Sequence, residues 1–184
     1  MILYMNAIVC VQENPDTKDW GIGYNNELLF HYKEDMKLFR DLTIYKPVIM
    51  GRKTFESLPS GPLSDRYNIV LTSKNIEGVI TMSNIDELFD FINGALKETS
   101  YSINDFWVIG GQSIYEQLLP YCTYAYVTKC ENNKLTDSYF PNLDNCEGWK
   151  CRRIRISKNY PLKYYIYENC NVKSINEKRK DDLI

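Results

Sequence analysis

The fold of this chain is decided by the stretch Lys46-Pro-Val-Ile-Met-Gly-Arg-Lys-Thr-Phe-Glu-Ser-Leu58. The run Val48–Met50 is apolar and follows a proline, which is typical of a buried parallel strand entered at its first residue. Gly51 permits a tight turn, and the spacing of Phe55 and Leu58 predicts a helix directly afterwards. The stretch therefore predicts a strand, a glycine turn and a helix.

A second junction of this kind lies later in the chain. Phe106–Ile109 is another short apolar run, and it leads through Gly110-Gly111 into a helical pattern. The first junction adds two cations and a hydroxyl in the run Arg52–Thr54, beside the backbone N–H groups of a helix start. Its spacing is not that of a Walker A loop, which requires a preceding glycine. Two such junctions indicate a site for phosphate groups.

The composition is that of one globular domain. The chain has 184 residues, of which 44% are hydrophobic and 25% charged, and its formal charge of −2 argues against a nucleic-acid partner. Six cysteines without a C-x-x-C pair and a single histidine, His31, argue against a zinc site of common spacing. No run approaches the length of a membrane span. We expect a cytoplasmic, monomeric protein with reduced thiols and no membrane partner.

Hydrophobic periodicity predicts the remaining elements. Strands are expected over Met1–Val11, Tyr67–Thr72, Gly78–Met82, Ala125–Lys129, Lys150–Ser157 and Lys163–Glu168. Helices are expected over Glu34–Leu42, Asn84–Leu96 and Gln112–Leu119. The segments Gln12–Gly23, Lys97–Asn104 and Asp137–Pro141 are expected to be a long polar loop, a polar connection and a turn-rich link.

This order predicts an α/β fold. Most units run β-α-β, which implies a mixed, mostly parallel twisted sheet with helices on both faces, and the last two strands imply an antiparallel C-terminal hairpin. In such a sheet both glycine junctions lie at the carboxyl ends of strands, where open α/β sheets bind ligands. We expect one domain over residues 1–170 and a charged tail over residues 171–184.

Asp35 is the unusual member of the first predicted helix. It lies one position before Met36 and four before Phe39, so the carboxyl sits on or beside the apolar face. From spacing alone, it either caps the helix N-terminus or serves as a functional acid at the mouth of the sheet.

Several motifs in this order resemble the dihydrofolate reductase family, over about Tyr4 to Glu168. They are Ala7-Ile8-Val9, Gly21-Ile22-Gly23, Asp35, Pro47 to Thr54, Pro62-Leu63 with Arg66, Val108 to Gly111 with Tyr115, and Asp137 to Pro141. The resemblance implies an oxidoreductase that reduces dihydrofolate to tetrahydrofolate with NADPH, serves one-carbon metabolism and binds antifolate-type small molecules.

The resemblance also implies roles for individual residues. Asp35 would hydrogen-bond the pterin and assist its protonation, and Thr128 would steady this acid, although Thr128 also fits an ordinary β-branched strand position. Arg66 would hold the glutamate α-carboxylate of the substrate through two parallel hydrogen bonds. The other expected substrate contacts are Ile8, Val9, Phe30, Met36, Phe39, Leu58, Leu63, Ile109 and Tyr115.

The cofactor residues follow from the same resemblance. Thr72, Ser73 and Lys74 match a pocket for the 2′-phosphate, which favours NADPH over NADH. The remaining expected contacts are Cys10, Ile22, Gly51, Arg52, Lys53, Thr54, Gly110, Gly111, Gln112, Ser113 and Ile114. Tyr115 would lie near the nicotinamide ribose, or it is simply a packed amphipathic tyrosine.

The chain departs from the family pattern at three places, one of which is Gln112-Ser113, where some members have a basic residue. Leu29-Phe30 stands where the family has Pro-Trp, so the indole N–H that orders a water near the pterin is absent. The loop Gln12–Gly23 is several residues longer and contains one bulky apolar residue, Trp20. We expect Trp20 to fold over the nicotinamide and exclude water as part of the catalytic site.

Two other functions remain open at this stage. Another NADPH-dependent reductase on the same fold, such as that of the riboflavin pathway, would keep the glycine junctions without needing both Asp35 and Arg66. A non-catalytic nucleotide-binding module would use the junctions alone, and Asp35 would then be a cap.

Overall fold

The computed structural model describes residues 5–98 and 105–175, which form a mixed sheet flanked by helices. Its strands are β1 (Met5–Glu13), β2 (Trp20–Tyr24), β3 (Glu27–Leu28), β4 (Pro47–Gly51), β5 (Tyr67–Leu71), β6 (Ile80–Met82), β7 (Trp107–Gly110), β8 (Cys122–Glu131), β9 (Ser138–Phe140), β10 (Trp149–Ile156) and β11 (Lys163–Asn169). Its helices are α1 (Lys33–Thr43), α2 (Arg52–Glu56), α3 (Ile85–Glu98) and α4 (Gln112–Leu118), and a 3₁₀ turn follows at Leu119–Tyr121.

The strand order confirms the predicted fold class. The main sheet runs β10-β11-β8-β1-β7-β4-β5-β6. Neighbours from β8 to β6 are parallel, whereas β11 is antiparallel to both β8 and β10. Strands β2, β3 and β9 form an antiparallel extension that joins the sheet through β1. The sheet is therefore mostly parallel and ends in the expected hairpin.

Two hydrophobic layers cover the parallel strands, one on each face. Alternate residues of β1 face opposite sides, so Val9 packs with the layer of α3 and α4, while Ile8 packs with that of α1 and α2. Val48, Ile49 and Met50 of β4 are completely buried, as the sequence predicts for a parallel strand covered on both faces.

Local signals account for the start of α3. The Asn84 side-chain oxygen accepts a hydrogen bond from the Glu87 backbone N–H at 2.9 Å, and the Glu87 carboxylate accepts one from the Ser83 N–H at 2.8 Å. This reciprocal pairing satisfies backbone donors that a helix start leaves without intrahelical partners. The helix continues past the predicted end at Leu96 to Glu98.

Two predicted connections contain regular structure instead. In place of a loop over Gln12–Gly23, β1 reaches Glu13 and β2 begins at Trp20, because residues 14–19 form a tight turn in which the Asn14 side chain accepts hydrogen bonds from the backbone of Asp16 and Thr17. The predicted link Asp137–Pro141 contains β9. Its strand character depends on pairing with β2, which is distant in sequence.

Residues just after the predicted boundary at residue 170 also contact the main core. Ile175 is 2% exposed within the main core, and the Lys173 backbone N–H donates to the Pro120 carbonyl at 2.8 Å. Residues 1–4 of the first predicted strand, 99–104 of the polar connection and 176–184 of the charged tail lie outside the described residues. Within the described ranges, no helix is long and apolar enough to cross a membrane, and no three His, Cys, Asp or Glu side chains form a group suited to a metal ion.

Candidate active site

The two glycine junctions lie side by side at one edge of the sheet. Strands β4 and β7 are parallel neighbours, and Met50 pairs with Gly110. A Cβ atom at Gly51 would lie 3.0 Å from the Ile114 Cγ1 atom, and one at Gly111 would lie 3.1 Å from the Thr54 hydroxyl oxygen. A side chain at either glycine would force the neighbouring side chain to shift, and both junctions lie at the carboxyl ends of their strands, as predicted.

Position 110 requires glycine for two reasons of its own. Its φ is +113°, and a Cβ atom would meet the Tyr115 ring at 2.9 Å. The Gly110-Gly111 peptide bond is cis. Tyr115 is 3% exposed, and its hydroxyl donates a hydrogen bond to the Ile8 carbonyl at 2.7 Å. The tyrosine thus joins α4 to the central strand β1.

The predicted phosphate-binding groups come together at the ends of β4 and β5. These strands are parallel neighbours, with Gly51 opposite Leu71, so Arg52 and Thr72 follow directly at the same sheet edge. Arg52 is half-buried and forms an ion pair with Glu56 at 2.6 Å. Ser73 and Lys74 are exposed, and the Thr72 hydroxyl accepts the Lys74 backbone N–H at 3.1 Å.

The first residues of α4 already have protein partners. The Gln112 side chain accepts a hydrogen bond from the Tyr139 backbone N–H at 2.9 Å and donates one to Glu116 at 2.8 Å. The Ser113 hydroxyl accepts one from Gln117 at 2.9 Å. These contacts link α4 to β9.

The carboxyl of Asp35 faces the sheet and does not cap α1. Tyr32 is the N-cap residue, and no side-chain hydrogen bond caps the helix. Burial raises the pKa of Asp35, while hydrogen bonding by the Thr128 hydroxyl of β8 and the Cys10 thiol of β1 lowers it by a smaller amount. The capping interpretation is therefore wrong.

Apolar side chains cover the face of the sheet on which α1 packs. Five predicted substrate contacts belong to one hydrophobic cluster: Ile8, Phe39, Leu58, Leu63 and Ile109. At the far end of α1, the Arg66 guanidinium lies 5.6 Å from the Phe39 ring centre and donates from Nε to the Thr43 hydroxyl at 3.2 Å. The pKa of Arg66 is lowered, mainly by burial.

The other predicted substrate and cofactor contacts do not belong to this hydrophobic cluster. Val9, Ile22 and Ile114 are each about 8% exposed and belong to the cluster on the opposite face. Phe30 stacks on Tyr32, with ring centres 5.5 Å apart, in a separate cluster near β8 and β11. Met36 is 43% exposed, so it does not belong to the buried face of α1.

The prediction that Trp20 lies in a polar loop and closes over the site is wrong. Trp20 is the first residue of β2, is 1% exposed, and packs among core aromatics, with its ring centre 6.3 Å from that of Phe140. The buried Lys129 ammonium lies 3.9 Å from the ring centre. We therefore withdraw its catalytic role. Just after this loop, the exposed large hydrophobic residues are Tyr24, 41% exposed, and Leu28, 54% exposed on the two-residue strand β3.

The sequence analysis did not identify several residues whose hydrogen bonds support the predicted site residues. The Cys10 thiol acts on the pKa of Asp35, which strand alternation could have indicated, since Cys10 shares a strand face with Ile8. Thr43 donates to the Phe39 carbonyl at 2.7 Å while it accepts from Arg66. The Asn68 amide bonds the Leu63 N–H and carbonyl at 3.0 and 2.9 Å. No local pattern marks Thr43 or Asn68.

Comparisons with known proteins agree with this geometry. The dihydrofolate reductase family model matches residues 7–169. The chain is 40% identical over 131 residues to dihydrofolate reductase of Buchnera aphidicola subsp. Schizaphis graminum, covering 70% of this chain and 76% of that protein. The Bacillus subtilis dihydrofolate reductase is 33% identical over 158 residues, which cover 82% and 88% of the two chains.

A solved structure shows the same fold. It is dihydrofolate reductase from Enterococcus faecalis complexed with NADP(H) and RAB-propyl, and it superimposes with a TM-score of 0.72 at 26% identity. The superposition covers 90% of this chain and 95% of that one.

Proposed function

Because the chain belongs to the dihydrofolate reductase family, we propose that it reduces 7,8-dihydrofolate to 5,6,7,8-tetrahydrofolate with NADPH. The observation that carries this proposal is the spacing along α1. Asp35, Phe39 and Thr43 recur every four residues, so one helix face bears an acid, an aromatic ring and the hydroxyl that bonds Arg66. Four residues rise about 6 Å, so about 12 Å separates Asp35 from Thr43 along the axis.

This face of α1 suits a ligand whose two ends differ in chemistry. A pterin carries an amino group and a ring nitrogen that a carboxylate can bind together, and the substrate tail ends in a carboxylate that a guanidinium can bind through two parallel hydrogen bonds. Phe39, Leu58 and Leu63 supply apolar contacts for the aminobenzoyl group between the two ends. The Thr43 hydroxyl and the Ser64 carbonyl orient Arg66 from behind.

The environment of Asp35 suits proton transfer to the pterin. Burial opposes the ionised form, so the carboxyl retains a proton to higher pH than a solvated aspartate would. The Thr128 and Cys10 hydrogen bonds fix its orientation and limit this effect. A positioned acid with a raised pKa assists protonation of the pterin nitrogen at a pH where free aspartate is almost fully ionised.

The residues at the sheet edge fit a dinucleotide cofactor. A side chain at Gly51, Gly110 or Gly111 would enter the space where the two junctions meet, so these glycines permit close approach of a pyrophosphate to the backbone. Arg52, with the run Thr72–Lys74, places cationic and hydroxyl groups at the neighbouring strand end, where they would hold a 2′-phosphate. When bound, NADPH supplies the hydride.

The proposal is tested by the oxidation of NADPH with and without dihydrofolate, in wild type and in Asp35→Asn. We expect oxidation that depends on dihydrofolate, and a fall of about 10²- to 10⁴-fold in Asp35→Asn at neutral pH that diminishes as the pH is lowered and solvent supplies the proton. A riboflavin-pathway reductase would oxidise NADPH only when its own substrate is added as hydride acceptor and not with dihydrofolate, and a non-catalytic module would oxidise it with neither.

Glu34→Gln is the matched control. It removes a carboxylate from the neighbouring position of α1, but Glu34 bonds the Ser157 hydroxyl at 2.9 Å and lies 3.6 Å from Arg155. We expect this variant to turn over within a few-fold of wild type. Full activity of Asp35→Asn at neutral pH would contradict the assignment of the acid.

A further inference from the structure

The segment between β8 and β9 contacts the chain just before α1. Lys134 lies in this segment, and its ammonium donates a hydrogen bond to the Leu29 carbonyl, 105 residues earlier, at 2.8 Å. The same ammonium lies 4.4 Å from the centre of the Phe30 ring. One side chain therefore contacts two consecutive residues, one through a charge-assisted hydrogen bond to the backbone and the other through a cation–π contact.

The backbone of Lys134 is held in place from the core. Gln12 of β1 is 1% exposed, and its side-chain oxygen accepts a hydrogen bond from the Lys134 backbone N–H at 2.9 Å. The Gln12 side-chain nitrogen donates to the Lys134 carbonyl, also at 2.9 Å. A buried amide without hydrogen bonds is costly, so this pairing fixes where residue 134 lies. The lysine stem thus starts from a defined point, although its side chain is exposed.

The segment that Lys134 contacts leads directly to Asp35. Residues 29–32 have no regular secondary structure and contain no proline, so their own sequence restricts the backbone little. Phe30 stacks on Tyr32, with ring centres 5.5 Å apart, and both belong to a cluster that includes Leu38 of α1. Asp35 lies in the first turn of that helix. The position of the segment therefore affects the end of α1 that carries the proposed acid.

We propose that Lys134 is a positioning residue, whose ammonium holds Leu29 and Phe30 in place and so maintains the end of the cleft that receives the pterin. The pterin part of this inference rests on the proposed function. An ammonium has three donors on a flexible stem, so one N–H can bond the carbonyl while the charge lies over the ring. An uncharged side chain of similar length provides neither contact, whereas a guanidinium can provide both.

The first measurement is limited cleavage of the ligand-free full chain by chymotrypsin, with the products identified by mass spectrometry. Cleavage after Phe30 requires this segment to leave its contacts, so the rate reports how often it opens. We expect Lys134→Met to raise this rate about 3- to 10-fold, because it removes the charge and keeps most of the side-chain length. Lys134→Arg should stay within about two-fold of wild type, because a cation and donors are retained.

The second measurement is the Kd for dihydrofolate and for NADPH, each by fluorescence titration. Lys134→Met should weaken dihydrofolate binding about 3- to 10-fold and leave NADPH binding within about two-fold, since its contacts are with the segment beside the substrate end. Lys134→Arg should restore the affinity for dihydrofolate.

Lys158→Met is the matched control. Lys158 is exposed in the turn between β10 and β11, near Tyr160, which packs against Tyr32 with ring centres 5.6 Å apart. This variant removes an equal charge near the same aromatic cluster without removing either contact of Lys134. We expect the cleavage rate after Phe30 and both Kd values to match those of wild type.

Three results of the cleavage experiment would overturn the inference. They are an unchanged rate after Phe30 in Lys134→Met, an equal rise at sites throughout the chain, which indicates general destabilisation, and a rise in Lys134→Arg as large as that in Lys134→Met. An unchanged Kd for dihydrofolate in Lys134→Met would also overturn it. A wild-type chain that does not bind dihydrofolate would instead remove the proposed function, whereas the cleavage rates would still show whether Lys134 holds the segment.

Discussion

At the scale of single residues, the ionisation of Asp35 affects the stability of the folded protein. Because burial raises the folded-state pKa of this carboxyl above its ordinary value of 3.8, the folded protein binds the proton more tightly than the unfolded chain does. Below the ordinary pKa both states are protonated and no penalty exists. As the pH rises from the ordinary pKa through the folded-state pKa, the unfolded chain releases this proton more readily than the folded protein does, so stability is lost.

The substitution Asp35→Asn should remove this penalty. We expect the variant to unfold at a higher temperature than wild type at neutral pH, with a difference that shrinks toward about pH 4 because both proteins are then largely uncharged at this position. Thermal unfolding followed by circular dichroism at the two pH values provides the check. An Asn variant less stable than wild type at neutral pH would show that the lost hydrogen bonds outweigh the desolvation of the charge.

Arg66 gives the second prediction at this scale. Arg66→Leu should raise the KM for dihydrofolate by about 10- to 100-fold, the equivalent of losing a charge-assisted hydrogen bond worth roughly 1.5–3 kcal/mol. The KM for dihydrobiopterin should change little, because that substrate has no glutamate. Steady-state kinetics with both substrates measure the contrast.

Arg40→Leu is the matched control for Arg66. Arg40 lies on α1 and is 3.9 Å from Asp65, but its side chain is half exposed. Removing it takes away a nearby positive charge without removing the proposed carboxylate contact, so both KM values should stay within a few-fold of wild type. Equal losses for the two substrates in Arg66→Leu would indicate a role in folding.

At the scale of elements, the neighbouring ends of β4 and β5 bring together the residues that we propose bind the cofactor phosphates. Arg52→Gln should raise the KM for NADPH and scarcely change that for NADH, which lacks the 2′-phosphate. The loss of one charge-assisted contact predicts a fall in selectivity of about 10- to 100-fold. Initial rates with each cofactor measure this selectivity.

Two variants sharpen the Arg52 experiment. Glu56→Gln removes the carboxylate paired with Arg52 and should leave or increase the preference for NADPH, since the guanidinium then has one competitor fewer. Arg152→Gln removes an arginine paired with Glu168 at the opposite side of the sheet and should not affect the preference. Parallel loss of both cofactors in Arg52→Gln would contradict 2′-phosphate recognition.

At the scale of the whole molecule, Lys129 joins elements that the sequence separates. Its side chain is 4% exposed, and its ammonium lies 2.6 Å from Asp144 and 3.6 Å from Glu13. The same ammonium lies 3.9 Å from the Trp20 ring centre, and the Tyr167 hydroxyl donates to Asp144 at 2.7 Å. One buried cation thus connects β8, β1, β2, β11 and the segment before β10.

Lys129→Met should therefore destabilise the fold. Breaking a buried ion pair typically costs 3–5 kcal/mol, and we expect roughly 2–4 kcal/mol here because Asp144 is about half exposed. Urea unfolding measures the difference. Lys163→Met is the control, since Lys163 forms an exposed pair with Glu131 at 2.9 Å, and an exposed ion pair contributes little to stability. Equal effects of the two substitutions would contradict the central position of Lys129.

Local patterns in the sequence predicted a large part of this structure. Apolar runs and the glycine junctions at Gly51 and Gly110-Gly111 indicated the strands and their turns, and the β-α-β order implied a parallel sheet with the junctions at one edge. The capping motif placed the start of α3. These features depend on neighbours within a few residues, so the sequence by itself was sufficient to determine them.

The partner of each side chain was decided only by the tertiary structure. Asp35 is an acid by its sequence, but its contacts with Cys10 and Thr128 depend on the register of β1 and β8 and on the docking of α1. Trp20 lies in a polar stretch, yet pairing of β2 with β1 and β9 buries it. Contacts between distant segments leave no local pattern, because they are selected by packing and burial across the whole sheet.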